Sequence, residues 1–139
     1  MNAPKDELLT VDDLVVEYPG KAWLAKPFRV LKGVSIRIGA GETLGLVGES
    51  GSGKTTLGRA VLGLAPVTEG RIVFQGQDIS HATRADRRKL SQDLQVVFQD
   101  PYSSLNPSLT VGDILAEPLG IQGVTGPDAR KRVQELLDR

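Results

Sequence analysis

Leu14, Val16 and Tyr18 alternate with Val15 and Glu17, and Val34, Ile36 and Ile38 alternate with Ser35 and Arg37. A period of two places successive side chains on opposite faces, so the pattern predicts two strands, each with one buried face, paired antiparallel. Pro19-Gly20 marks a turn after the first, and residues 21–28 form a longer connection that holds Trp23. A second turn at residues 39–42 leads into an unbroken apolar run at 43–47, which fits a central strand buried on both faces.

Beyond residue 54 the period changes. Leu57, Ala60, Val61 and Leu64 recur at helical spacing, and Pro66 is placed to stop that helix. Residues 70–79 read as a strand pair or hairpin with Ile72 and Phe74 on one face and turn chemistry at Gly76-Gln77-Asp78. Residues 82–92 are charged and amphipathic, a surface helix in which the Arg84 to Lys89 run is a solvated face. Residues 94–98 return as a compact apolar strand, and 99–107 have loop composition. Residues 110–119 start a helix that Pro118 interrupts. After a break at 123–126, Pro127 suits the first turn of a last helix, with Val133, Leu136 and Leu137 as its apolar stripe. No residue suited to ending that helix follows before Arg139, which reads as a truncation.

Composition narrows the function. The chain has 139 residues, 40% hydrophobic and 24% charged, enough to bury a core. Seventeen basic residues balance seventeen acidic ones, so no net field attracts nucleic acid or an anionic membrane, and a nucleic-acid partner is disfavoured. No cysteine is present, which excludes disulfides and thiolate metal sites. No apolar run approaches the roughly 20 residues of a membrane-spanning helix, so any membrane connection runs through a partner. His81 lies between a strand and a charged helix without a visible catalytic partner, and reads as a surface or capping residue.

The segment with the most specific chemistry is Gly48-Glu49-Ser50-Gly51-Ser52-Gly53-Lys54-Thr55, which meets every position of the Walker A pattern between an expected strand and an expected helix. Without Cβ atoms at Gly48, Gly51 and Gly53, the backbone can curl so that its N–H groups converge on phosphate oxygens. The following helix directs its N-terminus, worth about half a positive charge, at the same place. Lys54 is placed for the β- and γ-phosphates, and the Thr55 hydroxyl for Mg²⁺. A nucleoside triphosphate site, for ATP with Mg²⁺, is the expectation, although the loop by itself also suits GTPases and kinases.

Further residues carry a family resemblance. The string Val47 to Thr56, the upstream Val16-Glu17-Tyr18 and, most specifically, Val97-Phe98-Gln99-Asp100-Pro101-Tyr102-Ser103-Ser104-Leu105-Asn106-Pro107 resemble the nucleotide-binding subunits of ATP-binding cassette transporters, in the oligopeptide and dipeptide importer group, with which nickel importers share much. The resemblance implies an α/β P-loop NTPase fold of ABC type with an N-terminal antiparallel β segment. Residues 1–98 would be the ATP-binding core, and residues 99–139 the Q-loop and the start of the helical subdomain. It implies that Tyr18 stacks on adenine, with Trp23 a rival for that role, and that Gln99 ligates Mg²⁺ or orients the attacking water. A neutral amide with donor and acceptor atoms suits either task.

The same resemblance implies transmembrane permease subunits held through the loop after Gln99, with Tyr102 and Leu105 as suitable contacts. It also implies a second ATP-binding subunit, an extracytoplasmic solute-binding protein acting indirectly, and a place on the cytoplasmic face of the cell membrane. The family's signature, Walker B strand, catalytic glutamate and switch histidine have no match in these residues, so hydrolysis and solute import are expected of an intact protein. Two alternatives stay open: a cassette ATPase outside transport, and a nucleotide-binding module without hydrolysis.

Overall fold

A computed structural model describes residues 7–20, 26–100 and 105–138. Trp23, Pro101, Tyr102, Ser103 and Ser104 lie outside the described residues. Residues 1–87 and residues 88–139 are two compact units.

In the first unit, β1 (Glu7–Tyr18) and β2 (Phe28–Gly39) pair antiparallel, as their period-two patterns predict. β3 (Glu69–Phe74) pairs antiparallel with the other edge of β1, and the two-residue β4 (Gln77–Asp78) closes a hairpin with β3, giving the order β2-β1-β3-β4. Leu14, Val15 and Val16 are all buried, where alternation alone expects Val15 to face out. β2, at the edge, keeps the expected alternation: Val34, Ile36 and Ile38 are half-buried, Ser35 and Arg37 exposed. Val11, Leu14, Val16, Ile72 and Ile79 are the largest fully buried side chains and form the heart of the core.

Helix α1 (Lys54–Val61) buries Leu57, Ala60 and Val61. It stops four residues earlier than Pro66 would require. Gly63 adopts φ 74°, its N–H donates to the Ala60 carbonyl, and the Leu64 N–H donates to the Arg59 carbonyl. This pair of backward bonds is a Schellman closure, which a glycine just past the helix favours. Leu64, expected on the buried stripe, is consequently outside the helix and exposed.

The Arg84 to Lys89 run is solvated as expected at Arg84, Arg88 and Lys89, but Arg87 turns inward. Its guanidinium donates to the Val61 carbonyl at 2.8 Å, and also to the Ile79 carbonyl, tying the end of α1 to the end of the β3–β4 hairpin. Partial burial lowers the Arg87 pKa from its ordinary value. Arg87→Ala leaves two backbone acceptors without this donor and is expected to destabilise folding by about 1–3 kcal/mol, read as a lower denaturant midpoint at unchanged m-value.

The hairpin also holds Asp78, whose carboxylate accepts from the Ser80 hydroxyl at 2.7 Å and backbone N–H at 2.9 Å. Those bonds lower the Asp78 pKa below the ordinary carboxylate value, with smaller help from Arg71 and His81. His81 itself is exposed.

Helix α2 (Arg84–Leu90) begins in a capping box: the Asp86 N–H donates to the Thr83 hydroxyl oxygen, and the Thr83 N–H donates to the Asp86 carboxylate. In the second unit, α3 (Val111–Ile121) and α4 (Gly126–Leu137) pack on one another. Thr110 caps α3 through the Asp113 N–H. α3 runs through Pro118 instead of stopping there. Proline's fixed φ is compatible with a helix, although its ring forfeits one N–H bond and crowds the carbonyl one turn back, and the helix closes with the Gln122 N–H donating to the Pro118 carbonyl. α4 starts with Pro127 in its first turn, as expected, but buries Ala129 and Val133 while Leu136 and Leu137 stay exposed. Among the described residues no helix is long and apolar enough to cross a membrane.

Two further expectations fail. Residues 43–47 and 94–98 are not strands; Val47 is 99% exposed and Val97 98%. A strand is a pairing relation as much as a sequence property, since its N–H and C=O groups need a lateral neighbour. Among the described residues no strand pairs with either run.

Candidate nucleotide-binding site

Residues 48–55 make a tight loop whose core is the Lys54 ammonium. It donates to the Gly48 carbonyl at 2.7 Å, the Glu49 carbonyl at 2.7 Å and the Ser52 hydroxyl at 3.2 Å. The Ser52 N–H donates to the Glu49 carbonyl, completing the turn. Lys54 is also the first residue of α1, so the chain reverses around its own side chain before entering the helix.

Two glycines make that path possible. Gly53 caps α1 at φ 97°, and a methyl group there would sit 2.6 Å from Leu31 Cδ2 and 3.7 Å from the Val30 carbonyl oxygen. A methyl on Gly48 would sit 2.8 Å from Ser52 Oγ. The loop is thus pressed onto β2 at one end and onto its own serine at the other. Backbone N–H groups at the start of α1 have no side-chain cap, and no acidic residue stands in its first turn. An uncapped helix start beside an ammonium is an anion cradle. A phosphate group is the kind of anion that such a helix start can take.

The other expected site residues fall as follows. Glu49, Ser50, Gly51 and Ser52 are exposed along the loop. Thr55 is exposed on the first turn of α1, where its hydroxyl is available to a cation held by phosphates, and Thr56 is half-buried beside it. Tyr18 is half-buried at the end of β1, in the same unit as the loop. Gln99 is exposed and belongs to the second unit, at the end of the unpaired run 94–98. Of the segment after it, Leu105 is exposed and Asn106 makes a turn, its side-chain oxygen accepting from the Ser108 N–H at 3.0 Å. Among the described residues no cluster of His, Asp or Glu could hold a metal by itself. Sequence reasoning missed Leu31 as the residue that seats Gly53, since a contact made across the fold leaves no periodic trace.

Residues 31–139 match the family described as ABC transporter. The chain is 41% identical over 137 residues to the oligopeptide transport ATP-binding protein OppF of Lactococcus lactis strain IL1403, covering 95% of this chain and 43% of that protein. It is 40% identical to the protein of the same name from Escherichia coli K12, covering 94% of this chain and 41% of that one. The chain therefore spans less than half the length of these curated relatives. In structure it is similar to a dimeric ATP-binding cassette in a post-hydrolysis state bound to ADP and Pi, at TM-score 0.74 and 25% identity, over 94% of this chain and 56% of that one. It is also similar to cbiO1 of Clostridium perfringens, part of an ABC transporter complex, at TM-score 0.70 and 30% identity, over 96% of this chain and 50% of that one. With an antiparallel β segment leading into a P-loop and helix, and with these matches along most of its length, the chain belongs to the ABC transporter family.

Proposed function

We propose that this chain binds ATP with Mg²⁺ through residues 48–56, and that its intact protein hydrolyses ATP to power import of peptides or a related solute across the cytoplasmic membrane. The observation that carries the proposal is the loop closed on the Lys54 ammonium at the uncapped start of α1. Exchanging one of the three loop contacts of Lys54 for a phosphate oxygen keeps its donors satisfied while bringing a full positive charge to the polyphosphate. Thr55 supplies a hydroxyl oxygen for the cation. Bound there, Mg²⁺ would offset the negative charge of the phosphates. Tyr18 offers its ring to the base, and Gln99 offers an amide to the metal or to water.

Peptide as the solute is supported by the relatives named for oligopeptide transport. The partners that follow are permease subunits gripping the segment after Gln99, a second ATP-binding subunit and, indirectly, an extracytoplasmic solute-binding protein. Such a protein works at the cytoplasmic face of the membrane, peripherally. The test is affinity purification of the intact protein from detergent-solubilised membranes. Integral-membrane subunits are expected to copurify in stoichiometric amount; recovery without them, or with DNA-repair or ribosomal partners instead, would overturn the importer reading.

A further inference from the structure

We propose that Phe28 is a second aromatic surface of the nucleobase site, facing the purine of a bound nucleoside triphosphate beside Tyr18. The inference rests on the reading of residues 48–56 and Tyr18 as an ATP site. A lone exposed aromatic is ordinary on a protein surface, and Phe28 is 68% exposed. Its register distinguishes it. Val16 stands opposite Leu31, but Glu17 stands opposite Arg29 and Tyr18 opposite Phe28, because Val30 is an extra residue bulged out of β2. In unbroken register Phe28 would face Pro19. The bulge therefore brings two aromatic residues to directly opposed positions, where Cβ atoms lie about 4.5–5.5 Å apart.

The same bulge links this pair to the phosphate loop. Val30 and Leu31 are the residues that press on Gly53. Leu31 stands opposite Val16 and Phe28 opposite Tyr18, a span of two residues along β1, about 7 Å, the kind of span that ribose and its first phosphates bridge between base and loop. The strand ends are pinned. Arg29 donates to Glu17 at 2.6 Å and to Glu69 at 3.0 Å, and the Glu17 N–H donates to the Thr68 hydroxyl at 3.1 Å. β1, β2 and the start of β3 thus hold the Tyr18–Phe28 position as one piece.

Aromatic contact adds affinity with little base discrimination. Calorimetric titration of the full chain with Mg²⁺-ATP, Mg²⁺-GTP and inorganic tripolyphosphate, which has no base, tests this. Phe28→Ala is expected to weaken ATP and GTP about 3- to 10-fold and leave tripolyphosphate within about twofold; Phe28→Trp is expected to retain the parent affinity. Unchanged ATP affinity in Phe28→Ala, or an equal loss for tripolyphosphate, would overturn the proposal. Tyr18→Ala separates the two levels: if it weakens ATP while Phe28→Ala does not, the base site stands and only the role of Phe28 falls. If neither variant affects ATP, the base site falls as well.

Discussion

Lys54→Ala is expected to weaken Mg²⁺-ATP binding by about 10- to 150-fold, the range set by a charge-assisted hydrogen bond to an anion. Two effects act together. The variant removes the positive charge at the phosphate position, and it removes the three bonds by which the ammonium gathers the Gly48 and Glu49 carbonyls and the Ser52 hydroxyl. The loop then has only the Ser52 to Glu49 backbone bond to hold its turn. Tripolyphosphate affinity should fall in parallel, in contrast to its insensitivity to Phe28→Ala, because Lys54 acts on phosphate and Phe28 on base. Titration calorimetry of the two variants side by side reads this directly, and ATP-driven uptake by the intact protein should be lost in Lys54→Ala. Parent-like tripolyphosphate binding by that variant would show that the cradle lies elsewhere.

Gly53→Ala is expected to damage both the loop and the fold. A non-glycine residue at φ 97° carries strain of about 1–3 kcal/mol, and its methyl group meets the Leu31 side chain at 2.6 Å. Leu31 is buried, with a relative exposure of 3%, so it cannot swing aside without opening the core. The lost stability should therefore be about 2–4 kcal/mol, with ATP affinity reduced at least tenfold. A double-mutant cycle separates strain from collision. On a Leu31→Ala background the steric part disappears and the backbone part remains, so Gly53→Ala should be less destabilising there than in the parent. Equal penalties on both backgrounds would mean that backbone strain accounts for the whole effect.

The parts of the fold that depend on near neighbours were legible in the residues. The strands around Leu14–Tyr18 and Val34–Ile38, the hairpin around Ile72 and Phe74, and the helix after Lys54 follow from period, turn chemistry and capping. Pro127 opens α4 as its chemistry requires. Errors arose where a local signal had competition. Pro66 looked like the terminator of α1, yet Gly63 ended it first, because a Schellman closure satisfies carbonyls that a downstream proline cannot. Arg87 reads as one cation in a solvated run, yet two backbone carbonyls face it, those of Val61 in α1 and of Ile79 after the hairpin. Residues 43–47 and 94–98 have the composition of buried strands but not the lateral partners.

By itself, the sequence determined the phosphate loop, since spacing and glycine placement within eight residues specify a backbone path and the cation that closes it. It also carried the family, through strings long enough to be matched over most of the chain. Only the tertiary structure decided what surrounds the loop: that Leu31 seats Gly53, that a bulge at Val30 sets Phe28 against Tyr18, and that Arg87 anchors the far end of α1. The physical reason is range. Turns, caps and helical stripes are settled by residues a few positions apart, whereas register shifts and carbonyl anchoring depend on which distant segments the core brings together.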